Sequence, residues 1–212
     1  MGAIPTRVEM AAALAARHGA VLQERLSAAR VAVCGLGGLG SNVAIALARA
    51  GVGTLHLVDF DRVDLSNLNR QQYTVAQLGQ FKTEALRETL AAIAPYCDVE
   101  TTTMRLTAEN IPDILSADPI VCEAFDRAEA KAMLVDAIQE RWPDRWLVCG
   151  SGMAGLQSAN LIRTRRLGRR MILCGDGVSD VAEAGSLVSA RVLACAAHEA
   201  LAIIRIIAGT PD

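Results

Sequence analysis

A glycine-rich loop, GLGGLG at positions 35–40, limits the fold of this chain more than any other feature of the sequence. The apolar run Arg30–Cys34 precedes the loop, the small-residue segment Ser41–Ala50 follows it, and the apolar run Thr54–Asp59 comes next. This order predicts a strand, a helix and a second strand that ends in an acidic residue. Because glycines let the backbone approach a phosphate and a helix N-terminus offers unpaired N–H groups, the unit predicts a nucleotide site. Its residues are Gly35, Gly37, Gly38, Gly40 and Asp59.

Apolar and helical segments continue to alternate beyond this unit, which predicts an α/β fold with a doubly wound, Rossmann-like and mostly parallel sheet. The periodicity predicts helices over Lys82–Ala94, Ala108–Leu115 and Arg127–Glu140, and strands over Val99–Met104, Ile120–Glu123 and Trp146–Cys149.

The pattern changes after residue 150. Two strand-like runs, Gln157–Arg163 and Arg169–Cys174, are too close together for a crossover helix, so we predict an antiparallel pair in the C-terminal third. A final helix over Leu187–Ala208 and two short helices before the sheet, broken at Gly19, complete the expectation. The chain reads as a single domain over 1–212, with N-terminal helices in 1–29, a nucleotide-binding core in 30–150 and C-terminal strands and a helix in 151–212.

Charge and composition exclude several classes of partner. A formal net charge of -2 and a pI near 5.9 predict no nucleic-acid or anionic-lipid partner, so any important basic groups must be local. The start of the chain lacks the features of a signal peptide, and charged residues interrupt the apolar segment Leu187–Gly209, which argues against a membrane span. Six scattered cysteines without a C-x-x-C pair predict reduced core residues, a cytoplasmic protein and no structural zinc.

The glycine loop alone does not distinguish NAD from ATP, but the polar stretch after Asp59 does. Residues 59–73 and 79–82 concentrate carboxylates, amides, an arginine and a lysine, whereas hydride transfer needs an apolar nicotinamide pocket. Arg70 can hold phosphate oxygens through a planar fork, Lys82 supplies a compact charge, and Asn67 can bond phosphate or ribose. This mixture favours a triphosphate, and the alternative is a solvated surface loop.

Four motifs together resemble the ThiF/MoeB/HesA adenylyltransferases, of the ubiquitin-activating-enzyme-like class. They are GLGGLGS at 35–41, LVDFD at 57–61, SNLNRQ at 66–71 and GQFK at 79–82, and the resemblance covers about residues 17–155. It implies that Gly38 and Asp59 meet the adenosine of ATP, while Asn67, Arg70 and Lys82 meet its phosphates. It also assigns Asp61, Ser66, Asn69 and Arg127 to the nucleotide site.

Two further roles follow from the resemblance. Arg17 matches an arginine that reaches the ATP of the partner subunit, which implies a homodimer. Asp126 matches an aspartate associated with Mg²⁺. Arg17, Arg70, Lys82 and Asp126 are then the catalytic set.

The C-terminal third is similar to short ThiF proteins through EAFD at 123–126, GSGMAG at 150–155, LCGD at 173–176 and CAAH at 195–198. Arg127 stands where larger members often carry Asn, and their paired zinc-binding cysteines are missing. The resemblance therefore implies ATP-dependent adenylation of the Gly-Gly C-terminus of a ThiS-like, ubiquitin-like sulfur carrier for thiamine (thiazole) biosynthesis. A sulfur donor of the cysteine desulfurase type would then also be a partner.

Alternatives remain open at this point. The carrier could be of the molybdopterin or the cysteine/homocysteine type, or the chain could be a binding module without activity. An NAD-dependent oxidoreductase is disfavoured because His18, His56 and His198 occupy no position suited to a proton donor. Cys174, at the end of a strand beside Gly175, is the candidate sulfur-handling thiol if it lies at an exposed turn, and otherwise is a buried core cysteine.

Overall fold

The structure, a computed structural model, describes residues 4–211, so residues 1–3 and 212 of the expected domain lie outside the described part. The strands are β1 (Arg30–Cys34), β2 (Thr54–Val58), β3 (Asp98–Thr102), β4 (Ile120–Glu123), β5 (Trp146–Gly150), β6 (Arg163–Leu167) and β7 (Met171–Gly175). The α-helices are α1 (Arg7–His18), α2 (Ala20–Ala28), α3 (Gly38–Ala50), α4 (Lys82–Ile93), α5 (Ile111–Ile114), α6 (Ala128–Arg141), α7 (Val181–Ala184) and α8 (Ser189–Ala208).

The described strands form one seven-stranded sheet in the order β3-β2-β1-β4-β5-β7-β6. All neighbouring strands are parallel except β6, which runs antiparallel to β7. The doubly wound α/β prediction is therefore confirmed. Winding reverses between β1 and β4, and the carboxyl ends of strands at such a reversal frame the crevice in which open α/β sheets bind ligands.

Helices cover both faces of the sheet. Along β1, Val31 and Val33 point into the core beneath α3 and α8, whereas Ala32 and Cys34 point into the core on the α5 and α6 side. Strands buried on both faces read as continuous apolar runs, which is why RVAVC shows no alternation. On α3, Leu47 has no exposed surface, and burying such a leucine stabilises the fold by roughly 1.5–3 kcal/mol.

The bounds of several elements differ from prediction, and two of the differences have a local cause. The helix predicted over Ala108–Leu115 is only the short α5, because Thr107 and Asn110 exchange side-chain hydrogen bonds with each other's backbone N–H groups and form a turn first. The first strand of the antiparallel pair is not Gln157–Arg163, since residues 159–161 form a 3-10 turn and β6 begins at Arg163. The antiparallel pairing itself is present.

The N-terminal helices agree with prediction, with Gly19 between them at φ 91°. α1 buries none of its residues, and Val8 on it is 77% exposed. Five cysteines are buried and Cys97 is partly buried, and no disulfide joins any two of the six described cysteines. Within residues 4–211, no helix combines the length and the apolar character needed to cross a bilayer.

Candidate nucleotide-binding site

A cavity of about 1020 Å³ opens at the carboxyl ends of the parallel strands. Its walls come from the glycine loop, the polar stretch after β2, the start of α4, the loop after β4 and the segments that follow β5 and β7. It brings together most of the predicted set: Gly35, Gly37, Gly38, Asp59, Asp61, Ser66, Asn67, Arg70, Lys82, Asp126 and Arg127.

Asp59 fixes the glycine loop. Its Oδ2 accepts a hydrogen bond of 2.6 Å from the backbone N–H of Leu36, and its Oδ1 accepts one of 2.8 Å from the N–H of Asp61. The carboxylate therefore joins the loop after β1 to the loop after β2. Each oxygen keeps a further lone pair, so the same group can also accept from ribose hydroxyls.

Lys82 is a buried cation at the edge of this cavity. It is the first residue of α4, it is 6% exposed, and its Nζ lies 3.1 Å from Oδ2 of Asp61, whose side chain is 50% exposed. An ammonium group held this way is a fixed point charge. It can exchange its carboxylate partner for a phosphate without rebuilding the helix.

Two hydrogen bonds to nearby residues hold the guanidinium group of Arg70 in place. Its Nη1 donates to the carbonyl of Ser66 at 3.0 Å and to Oδ1 of Asn69 at 2.8 Å. Asn69 does not line the cavity, because its Nδ2 donates instead to the carbonyl of Leu187 at 3.0 Å. In this structure Asn69 positions Arg70, and its contact with the nucleotide stays a prediction.

Ser66 and Asn67 line the cavity from a short 3-10 turn. The turn is capped by Asp64, whose carboxylate accepts from the N–H of Ser66, while Oδ1 of Asn67 accepts from the N–H of Asp64 at 3.1 Å. Hydrogen bonds to the Asp64 carboxylate, first from the hydroxyl of Ser66 and then from its backbone N–H, lower the pKa of Asp64. The amide group of Asn67 still faces the cavity.

Asp126 and Arg127 follow β4. Asp126 is exposed, and no hydrogen bond or ion pair within the described residues engages its carboxylate. Arg127 lies 3.9 Å from Glu129, and both side chains are at least 70% exposed, so this contact contributes little. Both residues can therefore turn toward a ligand.

Besides Asn69, three predicted residues lie outside the cavity lining. Gly40 belongs to the first turn of α3 and is packed against the carbonyl of Gly35. Arg17 is exposed near the end of α1 and does not line the cavity of its own chain. Cys174 has no exposed surface, so the expected exposed turn is wrong: the residue lies within β7 and its side chain packs in the core with Ile172.

The histidines have partners away from the cavity. Nδ1 of His56 pairs with Asp118 and its Nε2 with Thr102, both at 2.8 Å, while Nε2 of His18 lies 2.8 Å from Oε1 of Gln23. His198 contacts the hydroxyl of Thr164. None of the three lines the cavity.

Several cavity residues were not predicted from the sequence, and two of them are polar groups of particular interest. Lys131 Nζ lies 3.0 Å from both carboxylate oxygens of Glu123 and 2.8 Å from the carbonyl of Gly150, so it ties the ends of β4 and β5 together beneath the cavity. Burial raises the pKa of Glu123, and Lys131 offsets part of that effect. Gln71 is 7% exposed and its Oε1 has no hydrogen-bond partner in the described chain. Only their positions in the sequence could have indicated a role in the site: Gln71 directly follows Arg70, and Lys131 is on the helix after Asp126.

A buried ion pair holds the part of the cavity wall that is formed by the segments after β5 and β7. Arg191 on α8 pairs with Asp176 and donates to the carbonyl of Ser158 at 3.0 Å. Burial alone would raise the pKa of Asp176, but the backbone N–H groups of Ser179 and Val178, the hydroxyl of Ser179 and the charge of Arg191 together lower it. The segments after β5 and β7 are thus held to α8.

In sequence, the chain resembles proteins that are named as adenylyltransferases. It is 41% identical over 116 residues to the sulfur carrier protein adenylyltransferase of Thermus thermophilus, a match covering 54% of this chain and 43% of that protein. It is 40% identical over 113 residues to the molybdopterin-synthase adenylyltransferase of Haemophilus influenzae, covering 53% of this chain and 46% of that protein. The match thus spans less than half the length of each relative.

The fold resembles that of a solved structure over its whole described length. The E. coli tRNA N6-threonylcarbamoyladenosine dehydratase in complex with AMP superposes with a TM-score of 0.86 and 20% identity, covering 98% of both chains. The profile of the ThiF family matches residues 10–174, from α1 into β7. On that match, the chain belongs to the ThiF family.

Proposed function

We propose that this chain is an ATP-dependent adenylyltransferase that activates the C-terminal carboxylate of a ubiquitin-like sulfur carrier protein ending in Gly-Gly. The observation that carries the proposal is the pairing of a glycine loop with two fixed cations, Arg70 and Lys82, in one large cavity. Further support comes from relatives that are named as adenylyltransferases and from a neighbour of the same fold that holds AMP. ATP is the substrate in this proposal.

The chemistry requires cations where negative charge grows. An ionised carboxylate attacks the α-phosphorus of ATP, the bond to the bridging oxygen of the β-phosphate breaks, and pyrophosphate leaves. Both partners are anions, so positioning and charge compensation are the main contributions a protein can make. Arg70 is suited to grip phosphate oxygens in a planar fork, and Lys82 to neutralise charge beside them. No general base is needed, since the carboxylate is already ionised at neutral pH.

The residues present fit a magnesium ion carried by the nucleotide. Asp126 offers an exposed carboxylate at the cavity wall, and the described residues contain no cluster of three or more acidic, histidine or cysteine ligands that could form a cage. Mg²⁺ commonly binds through one or two carboxylates plus substrate phosphates. When bound, it would neutralise phosphate charge, and Asp126 would hold it on this side of the cavity.

The proposal includes a homodimer in which Arg17 serves the site of the other subunit. Arg17 is exposed and lies outside the cavity of its own chain, so a contribution to catalysis requires delivery from elsewhere. The helix that carries it buries no residue and leaves Val8 largely exposed, which fits a surface completed by a second copy.

Among carriers, we propose a ThiS-like protein of thiamine biosynthesis, sulfurated by a donor of the cysteine desulfurase type. The support is the C-terminal third, in which residues 150–153 of the GSGMAG motif line the cavity and the LCGD motif supplies Asp176 to the buried ion pair. A carrier of the molybdopterin or cysteine/homocysteine type is the alternative.

Pyrophosphate exchange into ATP tests the proposal. The protein is incubated with Mg-ATP, labelled pyrophosphate and one member of a panel: ThiS-like and molybdopterin-type carriers, each with and without the final glycine, and unmodified tRNA. Exchange that requires a carrier with an intact Gly-Gly end is the expected result. Exchange that depends on tRNA and on no carrier would reassign the substrate.

Calorimetry separates ATP from NAD. Arg70 and Lys82 crowd the place where a nicotinamide would lie, so we expect magnesium-dependent ATP binding and weak NAD binding. Tight NAD binding without ATP binding would make the chain an oxidoreductase candidate instead.

A further inference from the structure

Positive charge is concentrated in one part of the molecule. Residues 141–175 contain seven arginines and one aspartate, a formal charge of +6, so the rest of the chain carries -8. Five of these arginines lie on the β6–β7 hairpin, and we call them the arginine strip: Arg163, Arg165, Arg166, Arg169 and Arg170.

The strip runs along the edge of the sheet. β6 is the outermost strand and pairs only with β7 among the described strands. Because β6 is antiparallel to β7, it begins beside the carboxyl end of β7, where the cavity opens, and ends beside the amino end of β7. The guanidinium of Arg165 lies against Gly177, next to the segment containing Ser179 that lines the cavity. The strip therefore leads up to the candidate site.

The arginines are exposed and weakly compensated. Arg163, Arg165, Arg166 and Arg169 are exposed, and the only ion pair of the strip within the described residues joins Arg169 to Asp144 at 3.4 Å, with both side chains more than 75% exposed. Such surface pairs are worth little. Arg166 and Arg170 stack over Trp146, with their guanidinium carbons 5.2 and 4.9 Å from the ring centroid. Stacking holds these two groups in place and leaves their charge available.

Protection of an edge strand does not account for the pattern. Edge strands are commonly protected from edge-to-edge pairing by charged side chains, especially lysine. Here five positions carry arginine and none carries lysine. Arginine is preferred where a planar fork must meet carboxylates.

We infer that the arginine strip docks an acidic face of the carrier protein while the carrier's C-terminal tail enters the cavity. This inference rests on the proposed function. A protein partner is favoured over RNA because the strip is one strand wide and the rest of the chain carries -8, which would repel a polyphosphate that extends past the strip. Complementary charge of this kind speeds encounter and fixes orientation.

The experiment compares two substrates in pyrophosphate exchange: the intact carrier, and a synthetic peptide with the carrier's last residues ending in Gly-Gly. The variant is Arg163→Glu/Arg165→Glu. The charge-matched control is Arg49→Glu/Arg87→Glu, which changes exposed arginines on α3 and α4. Thermal denaturation verifies that both variants fold.

The expected result is a rise of about tenfold or more in the KM for the carrier, with kcat and the KM for ATP unchanged. The peptide kinetics should not change in the variant, and the control should behave as wild type in both assays. Added salt should weaken wild-type binding of the carrier and affect the variant less.

Other outcomes separate the two proposals. If wild type and variant adenylate the carrier equally well, the strip has no docking role and the proposed function stands. A variant that loses activity on the peptide as well as the carrier would also overturn docking, because the strip would then act on the site itself. Wild type that adenylates neither substrate removes the proposed function. Fluorescence anisotropy with unmodified tRNA covers the remaining case: binding that the variant abolishes would assign the strip to RNA.

Discussion

Gly40 packs directly against the backbone of Gly35: a Cβ on Gly40 would lie 1.8 Å from the carbonyl oxygen of Gly35. This contact brings the start of α3 close to the end of β1 and so closes the glycine loop. Gly37 is different, because the nearest atom to a Cβ there is Nε2 of Gln71 at 3.8 Å, an ordinary contact. Two glycines of one loop therefore serve two purposes, the first structural and the second access to the cavity.

Alanine substitution should separate these purposes. We expect Gly40→Ala to lower the melting temperature markedly, since the collision is with backbone and cannot be relieved by a side chain. Gly37→Ala should melt close to wild type but bind ATP about tenfold or more weakly, because a methyl group blocks the approach of phosphate to the loop. Melting curves and calorimetry on both variants check this, and equal behaviour of the two would contradict it.

Asp126→Asn should retain the fold and nucleotide binding but lose adenylation by roughly 100-fold or more, since a neutral amide is a poor ligand for Mg²⁺. Pyrophosphate exchange and ATP calorimetry measure the two properties separately. Asp136→Asn, at an exposed position on α6, is the matched control. Wild-type exchange by Asp126→Asn would remove Asp126 from the mechanism.

Mixed subunits test the role of Arg17. Arg17→Ala and Asp126→Ala should each be nearly inactive. A mixture in equal amounts, unfolded and refolded together, should regain about a quarter of wild-type sites, because random pairing makes heterodimers in which one site has both groups intact. Inactivity of the mixture, with heterodimers demonstrated by mass spectrometry, would mean that Arg17 does not act across subunits.

The stability of the protein should depend on Glu199. This residue on α8 is fully buried, neither of its oxygens has a hydrogen-bond partner in the described chain, and burial raises its pKa well above 4.5, with the charge of Glu123 adding to the effect and Lys131 opposing it. At pH values above the unfolded pKa of about 4.3, the unfolded chain releases this proton, whereas the folded protein keeps it. The stability present below that pKa is lost as the pH rises toward the folded pKa.

Replacing Glu199 with Gln removes this titration. The melting temperature of Glu199→Gln minus that of wild type should therefore be a larger, more positive difference at about pH 8 than at about pH 5. Glu140→Gln, at an exposed position on α6, should show no such trend. A difference between variant and wild type that is constant with pH would mean that Glu199 is ionised in the folded protein.

The sequence predicted the sheet well where strands are buried on both faces. The strand Ile120–Glu123 was predicted with its observed bounds, because a short apolar run after Pro119 is typical of a buried strand. β6 was misplaced because it is an edge strand with arginines on both faces, so no apolar pattern marks it. Periodicity reports burial, and an exposed edge has little of it.

The site shows the same division. Motif residues such as Asp59 and Lys82 were predicted because their chemistry and spacing are characteristic of nucleotide sites. Lys131 was missed since it belongs to the site only through the meeting of β4 and β5, strands separated by a helix in the chain. For Cys174 the sequence left two interpretations open, an exposed turn beside Gly175 or a buried core cysteine, and the structure shows the buried one.

The match to the ThiF family ends at residue 174, one residue before the end of β7, whereas α8 lies wholly beyond it. Nine residues of α8 are buried, and Val192 at its start lies directly beneath Gly38 of the glycine loop. Residues 10–174 therefore lack a helix on which the packing of α3 and of the glycine loop depends. An expression fragment that ends at residue 174 would lose the packing partner of α3 and the residue beneath the glycine loop. We expect such a fragment to be recovered only as aggregate.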